Sequence, residues 1–326
     1  MKDILMQIRD LVVTYNTRLG PLSAVEGIDF DIYQGEILGL VGESGCGKST
    51  MGKALMRMLP DSANISGKVI FKGENVLDYD QHQLRDFRGR CISMIFQDPM
   101  TSLNPVQRVD EHIIEAIQVH ELQTKTEDAF ERAKLLIERL GIQSRRMKDY
   151  PHQLSGGMRQ RVMIGLGLVL NADLIIADEA TTSLDVIVEA NLLDQLREIR
   201  EEFGVSMLAI THNIALVAEL ADRIAVMYAG RLVEIGTIYE VFDNPQHPYT
   251  RGLLKAVPSI QLDTGETLYK MGGEPPNLTH PPTGCRFHPR CPEAMPICES
   301  RAPAFKEVNP GHYVHCWLYQ QQSEGI

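Results

Sequence analysis

Nine consecutive residues, Gly42-Glu43-Ser44-Gly45-Cys46-Gly47-Lys48-Ser49-Thr50, hold the plainest chemistry in this chain. They spell G-x-x-x-x-G-K-[ST], with the apolar run Ile37 to Val41 before them and a helical pattern from Met51 to Leu59, ended by Pro60, after them. Glycines let backbone N–H groups turn inward around an anion, and a helix starting near Lys48 adds its positive end to that cradle. Polyphosphate is the ligand such a loop suits. Gly42, Ser44, Gly45, Cys46, Gly47 and Thr50 wrap it, Lys48 sets a charge against its outer phosphates, and Ser49 holds Mg²⁺ between them.

A second anion-binding helix start stands at Leu154-Ser155-Gly156-Gly157-Met158-Arg159-Gln160-Arg161, with Ser155 as N-cap and two bare glycines. The first loop already surrounds most of its own nucleotide. Ser155, Gly156 and Gly157 are therefore best used on a nucleotide held by a neighbouring subunit, which implies a dimer with ATP between protomers. After Asp173 the apolar stretch 174–177 ends in Asp178-Glu179, and adjacent strand residues point to opposite sides. Asp178 fits a second Mg²⁺ contact, and Glu179 fits polarisation of an attacking water. Gln97, at the end of a buried strand, is placed to touch Mg²⁺ or a water by the terminal phosphate. His212, after the strand Val205 to Ile210, is within reach of a γ-phosphate or serves as an ordinary cap. Tyr15 either stacks on adenine or packs on strand neighbours.

These groups need a scaffold, and 326 residues suffice for one large core plus a smaller domain. With 44% hydrophobic residues, 23% charged and no apolar run of bilayer length, the chain reads as globular and cytoplasmic, without a visible signal peptide. A net charge of −11 argues against nucleic acid and against direct adsorption to an anionic leaflet. Work at a membrane would need a protein partner.

The opening forty residues alternate as β: Ile4, Met6 and Ile8, then Leu11, Val13 and Tyr15, then Ile28, Phe30 and Ile32. Strands are expected at Lys68 to Lys72 and Ile92 to Phe96, with a short helix around Gln83 to Arg88. Residues 108–170 carry helical periodicity, with a capping box at Thr124 and Glu127 and a stop at Gly141. A helix is expected from about Val186 to Phe203, and a hairpin about Ala229-Gly230 closes the large domain.

Taken together, the motifs make the chain resemble the ATP-binding subunits of ABC transporters over its first 250 or so residues. Gly42 to Thr50 resembles the Walker A motif, Gln97 the Q-loop, Leu154 to Gln160 the signature, Leu174 to Glu179 Walker B with its catalytic Glu, Ser183 to Asp185 the D-loop, and His212 the switch His. The resemblance implies a P-loop α/β fold with an antiparallel β subdomain and an inserted helical subdomain at about 99–165. It implies Tyr15 on adenine, Asp185 at the dimer interface, and Lys48, Gln97, Glu179 and His212 as catalytic groups. Two departures stand out, Ala180 after the catalytic Glu and Asn213 after the switch His. Phe96 to Pro105 and His247-Pro248-Tyr249-Thr250 look like the dipeptide and oligopeptide importer branch, which also contains nickel and oligosaccharide importers. That branch implies a second ATPase, a heterodimer more than a homodimer, two integral-membrane permeases, an extracytoplasmic binding protein reached indirectly, and a place on the cytoplasmic face of the membrane. A DNA-repair ABC ATPase would want a coiled-coil insertion or basic surface, and a translation-associated one would want two cassettes; neither pattern occurs here. An ATP-gated interaction module without turnover is disfavoured by Glu179 and His212.

Residues 1–257 thus read as a nucleotide-binding domain and 258–326 as a small Cys-rich domain. Its four thiols, Cys285, Cys291, Cys298 and Cys316, are positioned along the sequence to hold a cluster or a metal, without the paired C-x2-C knuckles zinc prefers. The family resemblance tips the choice to a [4Fe-4S] cluster over zinc.

Glu179→Gln is expected to slow ATP turnover about 10²–10⁴-fold while ATP still binds, because a positioned base contributes that much. Phosphate release and nucleotide binding, measured on the same preparation, check it; normal turnover would remove Glu179 from this role.

Overall fold

Alternation builds the first elements. Strands β1 (Ile4–Thr17) and β2 (Gly20–Tyr33) pair antiparallel, burying Met6, Ile8, Leu11 and Val13 beside Ile28, Phe30 and Ile32. The expected period-2 face forms except at Ile4, which is exposed, and irregularities at Ile4/Met6 and Ile8/Leu11 shift its register. The computed structural model describes residues 3–18, 20–96, 102–178, 196–198, 200–256 and 271–320. Gln97, Glu179, Ala180, the D-loop residues Ser183 to Asp185, and most of the helix expected from Val186 lie outside them.

The chain divides into two compact units, Met1–Leu77 with Ala209–Ile326, and Asp78–Leu208. In the first unit, β3 (Ile37–Val41) is buried along its whole length. The Asp222 carboxylate accepts the Ile37 N–H at 2.9 Å and pins the start of this strand. Helix α1 (Lys48–Leu55) follows the glycine loop directly. It stops short of the expected Leu59. Arg57 adopts φ +52, its N–H returns to Ala54 O and that of Met58 to Lys53 O, which closes a Schellman end before Pro60 is reached. Strands β4 (Ala63–Phe71) and β5 (Glu74–Asn75) complete a sheet of order β2-β1-β4-β5.

The second unit opens with α2 (Gln81–Asp86), capped by Asp80 and Gln83. Strand β6 (Ile92–Ile95) pairs parallel with a later strand of this unit. Between them lie α3 (Val109–His120), α4 (Thr126–Arg139) and α5 (Gly156–Leu168). Val109, Ile113 and Ile117 of α3 and Ala129, Ala133 and Ile137 of α4 form the buried stripes that the periodicity predicts. The capping box expected at Thr124 does not form. The Thr124 hydroxyl donates instead to Glu121, at 3.0 Å, and that carboxylate also takes Arg132 at 2.6 Å, so α4 starts at Thr126. Gly141, at φ +71, follows its last turn as expected. The partner of β6 is β7 (Leu174–Asp178), buried at every position, as suits a parallel strand covered on both faces.

Strand β8 (Ser206–Thr211) and α6 (Ile214–Leu220) lead back into the first unit. There β9 (Arg223–Tyr228) runs parallel to β3, and Ala229 (φ 47) and Gly230 (φ 84) turn it into β10 (Arg231–Thr237). Two left-handed residues match the twist of a tight hairpin. Helices α7 (Ile238–Asp243) and α8 (Pro248–Lys255) come next. The sheet continues past the hairpin. After α9 (Pro296–Ser300), strands β11 (Lys306–Asn309) and β12 (His312–Val314) form a second hairpin whose β12 pairs with β10, Glu234 opposite Val314.

One buried carboxylate fixes that join. Glu234 is fully buried and accepts from Gln246 N (2.7 Å), His247 N (2.9 Å) and His312 Nε2 (2.8 Å), tying β10, the start of α8 and β12. Three donors satisfy a charge that burial would otherwise make costly. Removing it leaves all three unpaired. Glu234→Ala is expected to destabilise the chain by about 3–5 kcal/mol, read from the midpoint of denaturant unfolding.

Candidate functional site

The phosphate-type loop runs between β3 and α1, and two of its glycines are fixed by close approach. A Cβ on Gly42 would sit 2.1 Å from the Met227 carbonyl oxygen and 2.8 Å from Cys46 Sγ. A Cβ on Gly47 would meet the Ala24 carbonyl at 2.2 Å, and its φ of +107 excludes ordinary side chains anyway. The loop therefore lies wedged against β2 and β9. Gly230 N–H donates to Cys46 O at 2.8 Å and holds it there.

Lys48 is buried at 4% exposure, and its ammonium donates to Gly42 O (2.8 Å) and Glu43 O (3.0 Å), with Cys46 Sγ at 3.9 Å. The cation is thus held inside the loop, where its charge is weakly screened. Burial pushes the Cys46 thiol above its usual range despite the Lys48 charge, so Cys46 packs as a neutral group. Ser44 and Gly45 are exposed at the tip, while Ser49 and Thr50 are half-buried in the first turn of α1. Tyr15 Oη donates to Thr50 Oγ1 at 3.3 Å, which brings this half-buried ring to the same turn. His212 is exposed immediately after β8. Asn213, where Asp is usual, accepts Ala215 N–H at 3.1 Å and caps α6, so the departure preserves the cap.

The second unit holds its own share. Asp178 ends β7 at 4% exposure. Ser155 accepts the Met158 N–H at 3.3 Å as N-cap of α5, as expected. Gly156 and Gly157 differ from Gly42 and Gly47: among the described residues, a Cβ on either meets nothing within 4 Å.

Sequence reasoning missed the groups that grip the loop from outside. Glu43 N–H donates to Tyr249 Oη at 2.9 Å, and both Glu43 oxygens take Arg290, at 2.8 and 3.0 Å. Tyr249 lies in a stretch that the sequence marks as family-specific; Arg290 precedes a cysteine, and nothing in its local pattern shows its target. Arg286 likewise reaches Ala229 O and the Glu26 carboxylate.

The tail cysteines fall short of the expected metal site. Among the described residues no group of three or more His, Cys, Asp or Glu side chains is arranged to hold a metal ion. The thiols do feel one another: Cys285, Cys291 and Cys298 each raise Cys316, which burial above all pushes up to about 12, while burial raises Cys291 to about 11. Cys285 N–H donates to Cys298 O at 2.8 Å. Buried, protonated thiols are poor ligands until they lose their protons.

The ABC transporter family model matches residues 25–182, and the model for the C-terminal region of oligopeptide/dipeptide transporters matches 233–298. The chain is 46% identical to the oligopeptide transport ATP-binding protein OppD of Escherichia coli over 97% of its own length and 93% of that protein's. It is 43% identical to the dipeptide transport ATP-binding protein DppD of Bacillus subtilis, over 98% and 96%. Among solved structures it is similar to the dimeric post-hydrolysis state of the ATP-binding cassette MJ0796 bound to ADP and Pi, with TM-score 0.64, 26% identity and coverage of 72% of this chain and 98% of that one. It is also similar to cbiO1 of Clostridium perfringens, part of the ABC transporter complex cbiONQ, with TM-score 0.63, 28% identity and coverage of 74% and 92%.

Proposed function

Because this chain belongs to the ATP-binding proteins of ABC transporters, and is an ATPase of that kind, we propose that its cycle drives uptake of di- or oligopeptides. The C-terminal match at 233–298 and the near full-length similarity to peptide transport subunits support the cargo class. The same engine serves oligosaccharide or nickel uptake elsewhere in the branch, and the relatives' names favour neither.

One contrast carries the mechanism: Gly42 and Gly47 are packed against this chain, whereas among the described residues nothing lies near a Cβ on Gly156 or Gly157. A bare backbone that the chain itself does not need is available to a partner's nucleotide. In this reading two ATPase subunits clamp ATP, a heterodimer more than a homodimer. Ser155, Gly156, Gly157 and Asp185 of one face the ATP held by Gly42 to Thr50 and Tyr15 of the other.

Lys48 and His212 offset charge developing on the γ-phosphate, while Glu179 orients the attacking water and accepts its proton. The Ser49 hydroxyl, the Gln97 amide and the Asp178 carboxylate are oxygen donors of the type that suits Mg²⁺ and would hold it, and the ion would supply charge neutralisation at the phosphates. Residues 1–257 form the nucleotide-binding domain in this assignment. Helices α3 to α5, in the subdomain at about 99–165, and the loop Gln97 to Pro105 meet two integral-membrane permeases, which a binding protein feeds from outside. No described helix is long and apolar enough to cross a membrane, so those partners would hold the chain at the cytoplasmic face. For residues 258–326 the proposed occupant of Cys285, Cys291, Cys298 and Cys316 is a [4Fe-4S] cluster, supported by the crowding of the four cysteines along the sequence and by the resemblance to the peptide-importer branch.

Gly156→Asp tests the open-glycine contrast. An acid in the first turn of α5 suits the helix dipole, so the isolated chain keeps its melting temperature and its own MgATP binding. In the assembled transporter, repulsion of the partner's phosphates is expected to cut phosphate release by about 10²-fold or more; unchanged release would end the clamp reading. Separately, anaerobic purification is expected to yield stoichiometric iron and acid-labile sulfide, and a colourless protein with stoichiometric zinc would remove the cluster.

A further inference from the structure

We propose that Arg290 and Tyr249 are positioning residues for the nucleotide site: from two sides they fix Glu43, and through Glu43 they set the anchor of Lys48. The inference rests on reading Gly42 to Thr50 as the MgATP loop.

Glu43 is the first variable residue of that loop, and all of its polar groups are engaged. Its carboxylate takes the Arg290 fork through two parallel bonds, 2.8 and 3.0 Å. Its N–H donates to Tyr249 Oη at 2.9 Å, and its carbonyl accepts from Lys48 Nζ at 3.0 Å. A shift of Glu43 therefore moves an acceptor of the phosphate-binding cation. The holders are themselves rigid. The Arg290 side chain is 6% exposed, donates through Nε to Gly272 O at 2.9 Å and lies 5.7 Å from the Tyr228 ring centroid. Tyr249 is fully buried between Tyr228 and Phe287, with ring centroids 4.6 and 5.4 Å away. Burial and the nearby Glu43 charge keep its hydroxyl protonated, so its oxygen remains a neutral acceptor.

A simple tether for the tail would not need this contact. The Glu234 and His312 pair, Arg286 on Glu26, and the β10–β12 pairing already join the tail to the body. Arg290 instead ends on the loop, with two-pronged geometry that fixes orientation as well as distance. The residues after 257 thereby take part in ATP binding.

The experiment is calorimetric titration of the full chain with MgATP and with a non-hydrolysable MgATP analogue. Arg290→Gln is expected to raise Kd about tenfold, Glu43→Gln by a similar factor, and the double variant by no more than either alone, the signature of one shared interaction. Arg290→Lys keeps the charge without the fork and recovers only part of the affinity. Tyr249→Phe keeps the packing and weakens binding through the Glu43 N–H. Melting temperatures without nucleotide control for unfolding, and if Arg290→Gln does not fold, Glu43→Gln and Tyr249→Phe carry the test from the loop side. Unchanged affinity in the folded variants, or additive effects in the double variant, overturns the proposal. A wild-type chain that binds no MgATP overturns the nucleotide reading itself, and this inference falls with it.

Discussion

The steric fit of a bare backbone between two strands governs this protein's chemistry. The loop after β3 passes so close to the carbonyls of Ala24 and Met227 that no Cβ fits at Gly47 or Gly42. That closeness fixes the course of the loop, inside which the Lys48 ammonium donates to Gly42 O and Glu43 O. Burial of Lys48 is tolerable because two carbonyls satisfy it. The arrangement depends on β2, β9 and α1 keeping their places, so the sheets act as a jig for a few ångströms of main chain.

Polar groups set that jig as much as apolar packing does. Asp222 pins the first residue of β3, and Glu36, fully buried, accepts from Tyr33 N (2.7 Å) and Arg223 (3.3 Å) close by. Glu234 gathers two backbone donors and a histidine where β10, α8 and β12 meet. Glu36 and Glu234 are buried and Asp222 half-buried, each with its donors already arranged. Such groups specify one geometry, because a shifted alternative would leave a charge without partners.

How far the sequence discloses all this depends on whether a feature is local. The glycine loop, the Ser155 cap, the Asp178 strand and the Ala229-Gly230 hairpin are legible because turn chemistry and periodicity operate within a few residues. The end of α1 at Leu55 was not legible, since Arg57 takes a left-handed conformation usually given to glycine. Thr124 looked like a cap and instead serves Glu121, because Arg132 draws that carboxylate into a separate pair. The β10–β12 pairing and the Arg290 fork join positions tens to hundreds of residues apart, and no window along the chain shows them. The four cysteines differ again: their crowding is legible, but burial, which raises the Cys285, Cys291 and Cys316 thiols, is not, and among the described residues no group of three or more His, Cys, Asp or Glu is arranged to hold a metal ion.

The two glycine groups finally separate by what each glycine avoids. At Gly42 and Gly47 the avoided atoms belong to this chain, so those glycines are explained by its own fold. At Gly156 and Gly157 a methyl group would meet nothing described, while a glycine at the start of a helix costs conformational entropy that alanine would not. Among the described residues neither glycine relieves any crowding that would explain it. Ser155 faces the same way, exposed and with its hydroxyl already serving as a cap, so the first turn of α5 presents oriented N–H groups and no side-chain bulk. Physically a helix start of that kind suits an anion.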